Sequence, residues 1–303
     1  MPTPGRPPAR EGAVTLALAH TEPYAWDAML RWLAARAVPN VEEVVDGEYR
    51  RAFVVGGIGG TVAVRSGEPG ELLATITSSP AIPEVMERLR RLLDLDADAR
   101  AIDAHLGRDR ALTPLVRAVP GLRVPGAWEP FELAVRAILG QQVSVAAART
   151  FAGRIAAAHG ERVPGGGPGI AFPGPARLAA ASLEGIGLTR ARASALGALA
   201  RAVALRPALL GPAGDLAETV ARLVELPGVG EWTAHYVAMR AFRERDAFPA
   251  ADLGLLRAMA RGGRRPTPAE LLARAERWRP FRAYAAMHLW TSGAPARRRG
   301  RVG

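Results

Sequence analysis

Two kinds of patterning divide the chain. Through roughly the first hundred residues, short apolar runs alternate with polar positions. Residues 14–19 read as a strand, and residues 24–37 place Trp26, Met29, Leu30 and Leu33 on one face of an amphipathic helix. Residues 51–55 and 61–65 read as strands joined by the glycine turn 56–60, and 72–77 as a further strand. A helix over 82–93, with Arg88, Arg90 and Arg91 on its outer face, closes the block. The order β-α-β-β-β-α predicts a small antiparallel sheet with helices on one side, spanning residues 12–97.

From about Asp98 the strand pattern stops and helical spacing takes over. Helices are predicted over 99–106, 112–118, 130–139, 143–159, 190–204, 216–224, 231–243, 253–260, 268–277 and 281–290, with a glycine- and proline-rich loop at 164–175. The fold class is therefore α+β: a small sheet domain, then a mainly helical region over 98–296. Residues 1–11 are expected to be a disordered tail and 297–303 a basic tail. One echo stands out. Leu183-Glu-Gly185-Ile-Gly187 and Leu226-Pro-Gly228-Val-Gly230 share a turn pattern, each with an alanine (Ala191, Ala234) four residues past the second glycine. A two-helix hairpin used twice would fit.

Charge and composition narrow the chemistry. The chain carries 40 basic residues against 29 acidic ones, a net charge of +11, and every one of those cations is arginine. Such a surplus suits a polyanion such as nucleic acid, although solubility or compositional drift accounts for it equally well. There is no cysteine, so a disulfide framework, a thiolate-held zinc, an iron–sulfur cluster and a thiol nucleophile are all excluded. There is no lysine, so no side-chain amine is present for Schiff-base chemistry. No apolar run reaches the roughly 18 residues of a membrane span, and the start lacks a signal-peptide core. A soluble cytoplasmic protein, associated with the nucleoid and not with membrane, is expected.

The strongest local motif lies at 223–234, within a hairpin of about 216–243, where a helix ends in a turn with two glycines and a second helix starts at once. Gly228 and Gly230 would leave free N–H groups at a helix N-terminus, which favours a phosphate. The same glycines also suit an ordinary tight helix corner. Asp252 stands before an apolar helix, the position of an N-cap, where a carboxylate is held rigidly. Trp232 and Tyr236 are four residues apart and share a helix face, and Trp278, Phe281, Tyr284 and Trp290 crowd the last helical stretch. Core packing is the ordinary fate of such aromatics; Trp232, beside the glycine turn, is placed to stack a base. The five histidines (His20, His105, His159, His235, His288) show no metal-ligand spacing. Gln141-Gln142 interrupts two helices and reads either as a polar turn or as a probe inserted into a duplex.

With the hairpin and Asp252 together, the segment 226–252 resembles the helix-hairpin-helix, Gly/Pro…Asp superfamily of DNA base-excision glycosylases. The resemblance extends to 127–145 (Arg136-Ala-Ile-Leu-Gly-Gln-Gln-Val-Ser144), to 274–290, and to Pro23-Tyr-Ala-Trp26, the run 33–38 and Leu106–Gly107. In combination these are similar to the 3-methyladenine (alkylpurine) DNA glycosylase II branch. That likeness implies a catalytic aspartate at Asp252 and base-pocket aromatics at Trp232, Tyr236, Trp290 and Trp32. It implies DNA contacts at Gln142, Gly228, Gly230 and Thr233, with Gln142 filling the gap left by a flipped nucleotide. It also implies a monovalent cation, sodium or potassium, on the carbonyls of Val224, Leu226 and Val229. Two departures stand out: Gln142 replaces an apolar wedge, and Ala251 stands where a second acidic residue would neighbour the aspartate.

The missing side chains then choose among branches. Strand-cutting relatives use a lysine amine, so this chain is expected to be a monofunctional glycosylase, monomeric, acting on double-stranded DNA with damaged bases and needing no cofactor. A purine alkylated at N3 or N7 is cationic and leaves as a neutral base, so one carboxylate near the forming oxocarbenium-like sugar suffices, and aromatic faces favour the cation. Two other readings stay open: a non-catalytic hairpin module that recognises damaged DNA, and a glycosylase for a different damaged base.

Overall fold

The computed structural model describes residues 12–292, so the two expected tails, 1–11 and 297–303, lie outside the described residues. The N-terminal part is a five-stranded antiparallel sheet made of β1 (Val14–Ala19), β2 (Glu42–Val45), β3 (Glu48–Val55), β4 (Ile58–Ser66) and β5 (Glu71–Ile76). The strands lie in the order β1-β5-β4-β3-β2. Alternation on β5 buries Leu72, Ala74 and Ile76, and on β3 it turns Tyr49, Arg51, Phe53 and Val55 to the same inner side. Helices α1 (Trp26–Arg36) and α2 (Ile82–Leu92) supply Met29, Leu30, Leu33, Val85, Leu89 and Leu92 to the core shared with the sheet.

Strand β2 corrects the expected β-α-β-β-β-α order. Its inward residue is Glu42, a charge where the pattern of a buried strand demands an apolar side chain. The carboxylate is neutralised in place: Oε1 accepts from Arg136 at 2.7 Å, and Oε2 accepts from the Tyr49 hydroxyl at 2.7 Å and from Arg51 at 3.2 Å. Those cations hold the Glu42 carboxyl below the usual carboxylate range against the opposing effect of burial.

The rest of the chain is helical apart from one correction. Within the stretch read as strand-free, Glu161–Arg162 and Ile170–Ala171 pair as β6 and β7. They are too short for any period-two signal, and they are tied to the sheet domain by the Ile170 N–H donating to the Asn40 carbonyl at 3.0 Å. Helices α3 (Ala99–Leu106), α4 (Thr113–Ala118), α5 (Pro130–Leu139), α6 (Val145–His159), α7 (Pro175–Ala179), α8 (Arg190–Leu205), α9 (Leu216–Val224), α10 (Glu231–Ala241), α11 (Leu253–Ala258), α12 (Pro268–Ala275) and α13 (Arg282–Ser292) enclose a second core. α7 begins at Pro175, the last residue of the expected loop, with proline at a first-turn position where its missing N–H costs nothing.

Helix α1 serves both cores. Met29, Leu30 and Leu33 face the sheet, whereas Ala28 and Trp32 belong to the helical core, so one amphipathic helix carries an N-terminal aromatic to the helical region. The echoed turns are both helix–turn–helix connections, between α7 and α8 and between α9 and α10, but they differ in detail. Gly187 has φ +88° and precedes the Thr189 cap of α8, whereas Gly230 has φ −89° and is itself the cap of α10. Among the described residues no helix is long and apolar enough to cross a membrane.

Candidate active site

A cavity of about 250 Å³ lies where α1, α5, α6, α10, α11 and α13 meet. Asp252 forms part of its wall. The residue caps α11 with backbone φ −66° and ψ 124°, and Oδ1 accepts from the Leu255 N–H at 3.0 Å. The cap fixes the carboxylate, and two indoles hold its free edge: Trp290 donates Nε1–H to Oδ1 at 2.8 Å, and Trp232 donates Nε1–H to Oδ2 at 3.0 Å. The N-cap reading and the functional reading of Asp252 thus coincide.

Trp232, Tyr236, Trp290 and Trp32 all line the same cavity. Trp232 and Tyr236, one turn apart on α10, stack with ring centroids 5.2 Å apart and planes 10° apart. Trp290 meets Tyr236 edge-on at 6.2 Å and Trp32 at 5.6 Å. Trp278, Phe281 and Tyr284 pack in the core or against it, the ordinary fate of the remaining C-terminal aromatics.

Four arginines that sequence reasoning did not single out also line the cavity: Arg36, Arg136, Arg149 and Arg240. The Arg36 guanidinium sits 3.3 Å above the Trp32 ring, and Arg240 lies 5.3 Å from the centre of the Tyr236 ring. The aromatic faces expected to attract a cationic base therefore already serve the protein's own cations. Burial pushes the Arg36 guanidinium down to about 10, and the nearby Arg240 and Arg136 charges act in the same direction. The signal for two of these residues was in the chain: Arg36 follows Trp32, and Arg240 follows Tyr236, by one helical turn.

The glycine turn lies beside this site. Gly228, at φ +76°, closes it, and a Cβ there would stand 2.9 Å from the Ala195 Cβ, so both conformation and packing require glycine. Gly230 faces open space and is exposed. Thr233 differs from expectation: it is 1% exposed, and its hydroxyl accepts from Gln141 Nε2 at 3.1 Å, so it braces the turn from inside and offers DNA no surface. Gln141, the neighbour of the residue singled out as the wedge, also donates to the Gly228 carbonyl at 2.9 Å and receives Arg192 at its own carbonyl, at 2.6 Å. The interhelical loop is thereby fastened to the hairpin. Gln142 is exposed, with φ +57°, between two cavity-lining residues, Gly140 and Val143. At the turn, the Leu226 carbonyl accepts the Val229 N–H at 3.0 Å, and Val224 is exposed at the end of α9.

The family profile of the AlkA N-terminal domain matches residues 15–129, and that of HhH-GPD superfamily base excision DNA repair proteins matches 135–283. The DNA-3-methyladenine glycosylase 2 of Escherichia coli (strain K12) is 39% identical, over 88% of this chain and 94% of that protein. The chain belongs to the HhH-GPD superfamily of base excision DNA repair proteins. Its AlkA N-terminal domain and its identity to the glycosylase 2 enzyme mark it as AlkA-type within that superfamily. A probable bifunctional transcriptional activator/DNA repair enzyme AlkA of Mycobacterium tuberculosis is also 39% identical, over 94% of this chain, but the chain spans only 58% of that relative's length. Among solved structures, a 3-methyladenine DNA-glycosylase from Archaeoglobus fulgidus shares the fold with a TM-score of 0.81 at 23% identity, covering 92% of this chain and 98% of that one.

Proposed function

We propose that this AlkA-type protein is a monofunctional DNA-3-methyladenine glycosylase of type II that hydrolyses the N-glycosidic bond of alkylated purines flipped out of duplex DNA. The observation that carries the reading is the Asp252 carboxylate, fixed by a helix cap and two indole donors at the wall of an aromatic cavity. A carboxylate so held needs no reorganisation to stabilise positive charge developing on the sugar as the base departs, and it can orient the attacking water. An N3- or N7-alkylated purine carries its own positive charge and leaves as a neutral species. Selectivity then arises partly because a damaged base costs less to unstack.

The roles of the other residues follow from their places. Tyr236 and Trp290 offer ring surface to the base, and Trp32 closes the cavity from the sheet side. Gln142 is the residue assigned to the gap in the duplex. Gly228 and Gly230 present backbone at the DNA phosphates. The carbonyls of Val224, Leu226 and Val229 suit a monovalent cation, because they are neutral oxygens, one of which already accepts a backbone hydrogen bond. When bound, such a cation supplies positive charge against a phosphate. The chain has no lysine for a Schiff base and no cysteine for an iron–sulfur cluster, which supports cleavage without strand scission.

The test is incubation with methylated duplex DNA, mass spectrometry of the released bases, and alkali treatment of the product. Release of 3-methyladenine or 7-methylguanine with strand breaks only after alkali is expected. Binding without release would favour a non-catalytic damage-recognition module, and strand breaks before alkali would overturn the monofunctional assignment.

A further inference from the structure

The cavity contains an acid for which a cationic substrate has no use. The Tyr236 hydroxyl accepts from Arg240 Nη1 at 2.6 Å. Guanidinium groups only donate, so this contact uses a lone pair of the phenol oxygen and leaves its hydrogen free. Among the described residues nothing accepts that hydrogen. The ring is stacked on Trp232 and lines the cavity, so the free O–H points toward space in which a base would sit. Arg240 cannot easily turn away, because its Nε and Nη2 donate to the carbonyls of Pro125 and Gly126 at 2.6 and 2.8 Å.

We propose that Tyr236 is a general acid that protonates the departing base, extending excision to neutral purine lesions, such as deaminated or etheno-bridged ones, that carry no charge of their own. The inference rests on the glycosylase reading and deepens it. In the step, the Tyr236 O–H bond breaks and its proton passes to a purine ring nitrogen. The C1′–N9 bond breaks with its electron pair going to the base, which leaves neutral. Water adds to C1′, and the proton it loses returns through solvent to the phenolate.

Charge around the phenol fits the task. Burial alone would raise its pKa, yet the facing cations reverse that and hold it below the ordinary value of 10: Arg240 on α10, Arg36 on α1 and Arg136 on α5. Arg136 is partly neutralised by Glu42 and Glu132 at 2.7 and 2.9 Å, Arg149 on α6 is a further cation lining the cavity, and Asp252 is the carboxylate lining it. The cations that stabilise a phenolate also disfavour a positively charged base. A neutral base that takes a proton only as it leaves meets that field late.

The experiment compares single-turnover release of hypoxanthine and of 7-methylguanine from duplexes by wild type, Tyr236→Phe and Arg36→Met. Phenylalanine keeps the stacked ring and removes only the hydroxyl. In Tyr236→Phe the ratio of hypoxanthine to 7-methylguanine release should fall about 10²-fold, the scale of general acid catalysis. Wild-type hypoxanthine release should decline as pH rises through the phenol's pKa, because only the protonated form donates. Tyr236→Phe should lose that decline, and Arg36→Met should move it to higher pH. Equal losses on both substrates, or none, would overturn the acid role. So would a wild type that releases 7-methylguanine but no hypoxanthine, and in that case the glycosylase reading stands. A wild type releasing neither base overturns both.

Discussion

Trp290 donates its indole N–H to Oδ1 of Asp252 at 2.8 Å across 38 residues of sequence, while Trp232 holds the other oxygen at 3.0 Å. This grip ties α13, α10 and the start of α11 to one carboxylate. Asp252→Asn keeps an oxygen for the Leu255 N–H but turns an amide N–H toward an indole donor and removes the charge. Base release should fall by at least about 10²–10³-fold, the scale for loss of one preorganised electrostatic group, with DNA affinity retained. Single-turnover base release beside fluorescence anisotropy checks both halves.

The two hairpin glycines should behave differently. Gly228→Ala places a Cβ 2.9 Å from the Ala195 Cβ at φ +76°, and should cost about 1–3 kcal/mol of stability. Gly230→Ala meets open space at φ −89°, and at a helix cap should cost under about 1 kcal/mol while weakening DNA binding. Denaturant unfolding of both variants, with binding to undamaged duplex, separates the effects.

Arg51 and Arg136 share Glu42 and Glu132 in a buried cluster between the sheet and α5, and Arg136 Nη2 donates to the Arg36 carbonyl at 2.6 Å at the end of α1. Glu132→Ala leaves two guanidiniums short of a counter-charge and should destabilise by about 3–5 kcal/mol. The Glu42 carboxyl is held below its ordinary 4.5, so its stabilisation is present above that pH and lost as pH falls beneath it. Urea melts at pH 7 and below 4.5 test both statements.

His288 on α13 is 1% exposed with Nε2 unpartnered, and burial pushes its imidazole down to about 4. The unfolded chain binds this proton from about pH 6.5, so stability is intact above 6.5 and declines toward pH 4 by about 3 kcal/mol. His288→Met should remove that part of the pH dependence. The wild-type-minus-variant difference in unfolding free energy across this window is the quantity to measure.

Gln142 is exposed at φ +57°, so shortening it should disturb the fold little. If it fills the flipped-out position, Gln142→Ala should reduce excision about tenfold by leaving the unstacking cost less compensated. Reduced fluorescence of 2-aminopurine placed beside the lesion would report the lost extrusion; unchanged flipping would remove Gln142 from that role.

Local pattern alone determined much of this protein. The helix bounds Ala99–Leu106, Pro130–Leu139 and Leu216–Val224, the strand Val14–Ala19 and the glycine hairpin depend on periodicity, caps and turn residues that act over a few positions. Asp252 and the Trp232–Tyr236 pair were legible for the same reason. The absence of lysine and cysteine limits the chemistry whatever the fold. Tertiary structure decided what depends on distant partners. Strand β2 exists because Glu42 finds Arg136 ninety-four residues away, and Thr233 is inside because Gln141 reaches it. Likewise, no spacing shows that two indoles converge on one carboxylate, or that Arg36 and Arg240 flank a phenol. Those relations arise where helices far apart in sequence pack together, and there a side chain's neighbours, more than its own type, set its charge and its hydrogen bonds.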